Sequence, residues 1–518
     1  MKVLTAAQMQ AVDRRTIDEI GIPGVVLMEN AGRGVAEAII ERFSPAGPPR
    51  ALILAGKGNN GGDGYVIARH LLNKGWDVKT LVLAEREAIK GDAALNLKAL
   101  ENSGGQIDFI ADNETQKTSL AAAGKLTVLI DALFGTGLTK PVHGLYLQAI
   151  EWLNQQPVPV IAVDIPSGVD ASTGRVLGTA VNATLTVSFA FPKVGQVSYP
   201  GAGFAGELVT VDIGIPESLA GQVSTDCVLI NAAEGRRLLP VRSQDGHKGT
   251  FGHLLVVAGS TGKCGAAVMA AESGLRGGAG LVTLACPQSV QPSIVSRLTE
   301  VMTVPLADSE GELSLLAFDE LLALAEGKQA LAIGPGLGLG EETGDMIRRL
   351  VQDSDLPMVI DADGLTAICG HTDVLERQLS RQIVLTPHPG EMARLMGLTT
   401  AEIQADRFMV ARDFAVRHRV VLVLKGARTL TASPDGRVHV NNSGHAGLAS
   451  GGMGDVLTGL IGSLLAQGLA AMDAATLGVY LHGLAADRLL ATFGDAGLLA
   501  TDVMYELPAA RQALSKES

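Results

Sequence analysis

The residues best suited to chemistry lie in Asn442–Asp455, NSGHAGLASGGMGD, which precedes the apolar run Val456–Ile461. Six glycines fall between Gly444 and Gly459. Glycines of this kind let backbone N–H groups close around an anion, and a helix start adds its dipole. Gly454 and the glycines before it therefore read as a phosphate cradle. A carboxylate at that helix start is a poor phosphate ligand. Asp455 makes chemical sense as a base that takes the proton of an attacking hydroxyl. The bland alternative is a tight loop with an aspartate helix cap.

Three other segments suit the same site. GPGLGLG (Gly334–Gly340) follows an apolar strand and is another loop of close approach. In TPHPGE (Thr386–Glu391) two prolines fix a loop that could present His388 to a ligand, or simply carry a surface histidine. Lys425-Gly426-Ala427-Arg428-Thr429 lies between two strand candidates, and its cations suit phosphates or an exposed hairpin.

The first half repeats the theme with different residues. Gly56–Gly64, GKGNNGGDG, follows a strand candidate but is neither a dinucleotide fingerprint nor a P-loop. It offers an anion nest with Asn59, Asn60, Gly61, Gly62 and Asp63. Asp131 ends a strand candidate and is followed by Gly135, Thr136, Gly137 and Leu138; Asp164 repeats the pattern before Ser167. Carboxyl ends of parallel strands share one edge, where ligands bind. Asn60, Asp131 and Ser167 could converge there as oxygen ligands of a cation, leaving Asp164 for acid/base work. Each aspartate alone could equally cap a helix.

These residues need a scaffold of strands wound with helices. The 518 residues exceed one ordinary core, and 47% are hydrophobic against 18% charged. Aromatics are only 3%, so Ala, Val, Leu and Ile must form the interior, as in parallel sheets. Strand candidates at 51–54, 78–83, 127–130, 158–163, 183–187 and 208–211 alternate with helical stretches. A second series follows at 254–258, 281–285, 330–333, 358–360, 383–385, 420–424 and 429–432. Helices are expected at 5–20, 65–71, 266–276 and 403–418, and a connection at 217–249. The fold class is therefore α/β in two tandem domains, 1–220 and 225–512.

A net charge of −13 argues against a nucleic-acid surface. The four cysteines show no C-x-x-C pair, so neither zinc nor a disulfide framework is expected. No apolar stretch has membrane-spanning length, and a cytoplasmic location is expected.

In the order GPGLG, TPHPGE, LKG and NSGHAGLASGGMGD, the region Leu229–Ala509 resembles the ribokinase-like superfamily, and within it the NAD(P)H-hydrate dehydratase domain. That resemblance implies a C-terminal ribokinase-like α/β fold that uses ADP or ATP, with magnesium, to drive water loss from hydrated NADH or NADPH. Asp455 would deprotonate the C6 hydroxyl, which takes up phosphate before elimination. Gly454 and Lys425 to Thr429 would hold the nucleotide, and Ala267, Gly336 and His388 the hydrate. Thr5–Pro216, with LMENAGR at Leu27–Arg33, is similar to the NAD(P)H-hydrate epimerase domain, which implies a Rossmann-like parallel sheet with helices on both faces. Potassium would sit on Asn60, Asp131 and Ser167. Asn59 to Asp63, Gly135 to Leu138 and Asp164 would contact the hydrate, with Asp164 catalytic. The tandem order resembles the bifunctional NAD(P)H-hydrate repair family. Expected partners are NADHX or NADPHX, ADP or ATP and a second copy of the chain, with no nucleic acid and no membrane. A vitamin or sugar kinase would leave the first half unexplained; a first half that only binds is the other alternative.

Overall fold

The computed structural model describes residues 1–45, 47–376 and 382–516. The chain divides into two compact units, Lys2–Cys227 and Val228–Ser518. Residues 217–249, expected as a plain connection, instead carry helices Glu217–Gln222 and Ala232–Arg237 and strand Cys227–Ile230.

The N-terminal unit is built on β1 (Arg50–Ala55), β2 (Asp77–Val82), β3 (Gln106–Phe109), β4 (Val128–Ala132), β5 (Val160–Val163), β6 (Leu185–Phe189) and β7 (Glu207–Val211). The sheet order is β3-β2-β1-β4-β5-β6-β7, and every pairing is parallel. Winding reverses between β1 and β4, so the loops after these strands diverge and open a crevice. β3 was not foreseen: its residues are all partly exposed, so no apolar run marks it.

The C-terminal sheet uses β8 (His253–Val257), β9 (Leu281–Pro287), β10 (Met302–Leu306), β11 (Ala330–Ile333), β12 (Met358–Ile360), β13 (Ile383–Leu385), β14 (Val421–Leu424), β15 (Leu430–Ala432) and β16 (Val438–Asn441). These run in the order β10-β9-β8-β11-β12-β13-β14-β15-β16, and the strand Cys227–Ile230 lies next to β16. They are parallel from β10 to β14 and antiparallel from β14 to β16. The switch lies between β8 and β11. β10 carries Pro305, which an edge strand tolerates and a sequence reading rejects.

Two helix expectations need correction. The helix expected at 65–71 begins at Asn59, so the glycine-rich segment is its first turn rather than a separate loop. The helix expected at 403–418 breaks into Thr400–Ala405 and Arg407–His418, because the Asp406 side chain accepts from Met409 N and caps the second piece.

Helix Met453–Ala466 carries Asp455 and packs against helix Cys264–Arg276. A Cβ at Gly459 would stand 1.9 Å from the Ala270 carbonyl oxygen. The two backbones thus touch where any side chain would separate them. Gly459→Val is expected to destabilise the C-terminal unit by about 2 kcal/mol or more. Thermal unfolding should show its transition falling while that of the N-terminal unit stays in place.

Candidate active sites

In the N-terminal unit, β5 ends at Val163 and Asp164 follows with φ +64°, a strained setting for a residue with a Cβ. Its Oδ1 accepts from Lys193 Nζ at 2.5 Å and from Phe189 N at 3.2 Å. Lys193 is wholly buried and also donates to Ser188 Oγ (3.1 Å) and the Phe189 carbonyl (3.0 Å). Gln196 fixes this corner by accepting from Lys193 N and donating to the Asp164 carbonyl.

Asp164 lines a cavity of about 760 Å³ together with Asn59, Asn60, Asp63, Gly135 to Leu138, and Asp13. Burial raises Asp63 well above the usual carboxylate range; the charges of Asp164 and Asp13 add to this and Lys193 opposes it. Burial likewise pushes Asp13 up to about 6. One lysine therefore serves three carboxyl groups. Asp13 and Lys193 were absent from the sequence reading. Neither lies in a glycine loop, and only their neighbourhood in the fold marks them.

Beside the cavity, Asp131 is fully buried. Its Oδ1 accepts from Ser167 Oγ (2.6 Å) and Leu133 N (3.2 Å), and its Oδ2 from Ser167 N (2.8 Å). Burial raises it to about 6, against the opposing pull of these hydrogen bonds. Ser167 Oγ in turn accepts from Phe134 N at 2.9 Å and so holds the loop before Gly135. Asn60 faces that loop, since a Cβ at Gly135 would lie 3.3 Å from its Oδ1. Asp131 and Ser167 are thus joined directly, and Asn60 faces the loop they hold. Gly61 and Gly62 do not line the cavity. A Cβ at Gly61 would stand 1.9 Å from the Gly56 carbonyl, so this glycine serves close packing.

The C-terminal site gathers the loops that follow β8, β11, β12, β13 and β14. Lys425 Nζ donates to Asp361 Oδ1 at 2.7 Å and lies 3.7 Å from Glu391 Oε2. Burial alone would lower this lysine, but Asp361 and Glu391 outweigh it and raise it. Thr458 Oγ1 donates to Asp361 Oδ2 at 2.8 Å, tying the helix of Asp455 to the end of β12. Asp363 Oδ2 accepts from Lys263 Nζ (2.8 Å) and Gly338 N (2.9 Å), which ties three strand-end loops together. Lys425 N donates to the Pro387 carbonyl, and Arg407 donates to the carbonyls of Leu424, Lys425 and Ala427, shaping the Lys425–Thr429 loop.

Asp455 occupies the first turn of its helix, after Gly452 at φ +87°. A helix N-terminus alone would favour the ionised carboxylate. Burial and then the charge of Asp361 prevail, with Lys425 opposing, and hold Asp455 at about 7. A Cβ at Gly454 would lie 3.2 Å from Asp361 Oδ2 and 3.3 Å from Lys425 Nζ, so Gly454 faces this charged group.

His388 caps helix Pro389–Met396: its Nδ1 accepts from Gly390 N (3.0 Å) and Glu391 N (3.4 Å), and half its side chain remains exposed. Gly336 has φ +62° and packs on Lys263. Ala267 is wholly buried, 3.0 Å from where a Cβ of Gly259 would lie. The sequence reading missed Asp361, Asp363 and Lys263. The first two follow strand β12 as Asp131 and Asp164 mark the ends of β4 and β5, so the same signal was present.

Among the described residues no group of three or more His, Cys, Asp or Glu could hold a metal ion, and no helix is long and apolar enough to cross a membrane.

Comparison with known proteins follows the same division. The family described as NAD(P)H-hydrate dehydratase matches residues 254–509, and that described as YjeF-related protein N-terminus matches 24–195. The bifunctional NAD(P)H-hydrate repair enzyme Nnr of Moorella thermoacetica is 44% identical over 520 residues, covering 100% of this chain and 98% of that protein. The Escherichia coli enzyme of that name is 36% identical, covering 96% and 91%. A crystal structure of the ADP/ATP-dependent NAD(P)H-hydrate dehydratase of Bacillus subtilis, co-crystallised with ATP and Mg2+, is 31% identical with a TM-score of 0.50. That match covers 56% of this chain and 100% of the other.

Asp455 yields a pH signature. Its folded-state value of about 7 lies above the unfolded value of roughly 3.9, so the folded unit binds the proton more tightly between them. That contribution to stability is present below the unfolded value and is lost as pH rises through about 7. Between pH 5 and 8, Asp455→Asn should therefore lose less stability than the parent, by about 1–2 kcal/mol after allowing for partial exposure. Urea unfolding at the two pH values reads this difference.

Proposed function

The chain belongs to the family of bifunctional NAD(P)H-hydrate repair enzymes, and from that premise we propose that its two sites perform successive steps on one damaged cofactor. The N-terminal unit interconverts the R and S epimers of hydrated NADH or NADPH at C6. The C-terminal unit dehydrates the S form at the expense of ADP or ATP. The observation that carries this reading is Asp455: a carboxyl held near neutrality beside Gly454, Asp361 and Lys425. Such a group can take a hydroxyl proton at working pH.

In the dehydratase step, the N–H groups around Gly454 bind nucleotide phosphate, and the Lys425–Thr429 loop holds the nucleotide. Asp455 removes the C6 hydroxyl proton, the oxygen attacks the terminal phosphorus and the shortened nucleotide leaves; departure of phosphate from C6, pushed by the N1 lone pair, and loss of a proton from C5 then restore the ring. His388 and Gly336 border the hydrate, and Ala267, with no exposed surface, acts by leaving room. Magnesium would be held mainly by the nucleotide phosphates and would offset their charge, in keeping with how that ion is usually bound.

Potassium suits the donor set at the N-terminal site. Asp131 is a buried carboxylate with no cation beside it in its hydrogen-bond shell, and the side-chain oxygens of Asn60 and Ser167 are neutral donors of the hard kind. A monovalent cation held by these three residues would offset the buried charge and brace the loop at Gly135. Asp164, paired with Lys193, supplies the base.

Asp455→Asn is expected to reduce nucleotide-dependent dehydration by about 100-fold or more while epimerisation persists. Asp164→Ala should do the reverse. Both rates can be followed with separated epimers; equal loss of both in a folded variant would refute separate sites. Exchanging potassium for choline should slow epimerisation and spare dehydration, and an unchanged epimerisation rate would remove the ion from the site.

A further inference from the structure

Epimerisation at a carbon bearing a hydroxyl and a ring nitrogen needs two proton-handling groups. In the first step a carboxylic acid gives its proton to the C6 hydroxyl. The C6–O bond breaks, water leaves, and the N1 lone pair forms a C6=N1 iminium. In the second, water adds to the other face, the electron pair returns to N1, and a carboxylate takes the proton released. Asp164, bound to Lys193, suits the accepting role. The donor must be another group facing the same cavity.

We propose that Asp13, on helix Ala6–Arg15, is that donor. It lines the cavity with Asp164, and its buried Oδ1 has no hydrogen-bond partner among the described residues. A buried, unpaired carboxyl oxygen is costly unless it carries or meets a proton. Its helix is fastened to the corner that holds Lys193: Leu4 N donates to the Pro192 carbonyl, and Val194 N donates to the Leu4 carbonyl, both at 3.0 Å. Thr5 then caps the helix, and Ala6 N donates to Ser172 Oγ at 3.0 Å. The strand-like pairing of Leu4 with Lys193 thus sets Asp13 relative to the Lys193–Asp164 pair.

The charged groups acting on Asp13 are Lys193 and Asp164, and Asp63 feels its charge in turn. Lys57, Lys140 and His143 line the same cavity from exposed positions. Burial leaves Asp13 near 6, able to exchange its proton at working pH, and burial also raises Asp63 well above the usual carboxylate range. After each turnover the proton returns from Asp164 to Asp13 through cavity water.

This inference rests on the epimerase reading, and the test separates the two. The full chain and its Asp13→Asn and Asp13→Glu variants are assayed for conversion of the R to the S hydrate from pH 5 to 8, with dehydration of the S form as the control for folding. Asp13→Asn should lower kcat for epimerisation about 100-fold or more, change KM little, and abolish the pH limb near 6. Asp13→Glu should recover part of the rate and the limb. Near-parental epimerisation by Asp13→Asn, or no recovery with Asp13→Glu, would overturn the role of Asp13 and leave the epimerase reading standing. A parental chain that fails to interconvert the epimers would overturn both.

Discussion

Burying carboxylates at strand ends with too few cations to match them is the constraint on which both sites depend. Asp164 follows β5, Asp131 lies within β4 and Asp361 follows β12. Each unit meets its cluster with one lysine at its centre, the wholly buried Lys193 or the partly buried Lys425. Removing one partner of such a pair costs roughly 3–5 kcal/mol, because the other charge is stranded. The shortage of cations is also what makes the sites useful. A carboxyl fully neutralised by a lysine would be an ordinary anion, whereas Asp13 near 6 and Asp455 near 7 can exchange protons at working pH.

The folds supply this arrangement because parallel strands all end on one edge. In each sheet the winding reverses at one point, between β1 and β4 and between β8 and β11, and the loops there diverge. Small residues then bring backbone close to the charged groups. Gly454 lies against Asp361 and Lys425, and Gly459 lets its helix touch Ala270. The same close approach that seats Asp455 leaves no room for a larger side chain beneath it.

Much of this was legible before the structure. The apolar runs of β1, β4, β11, β12 and β13 mark two parallel sheets, and glycines flanking Asp131 and Asp455 mark their ligand edges. What escaped detection shares a physical cause. β3 is an exposed edge and β10 contains Pro305, so neither carries the pattern of a central strand. Asp13 sits on an amphipathic helix, where an aspartate reads as surface charge, and its burial comes from packing far along the chain. Lys193 looks like a loop cation until Leu4 pairs with it. Asp361 was within reach, since it ends a strand as Asp131 does.

The most direct measurement uses the whole chain and both substrates at once. Hydrated NADH prepared as a mixture of R and S epimers is incubated with the protein, ADP or ATP, magnesium and potassium, and the return of NADH absorbance is followed to completion. Recovery of the full amount, at a rate well above spontaneous epimerisation, is the expected result. Recovery that stops at the S fraction, or proceeds beyond it only at the spontaneous rate, would contradict an active site in each unit.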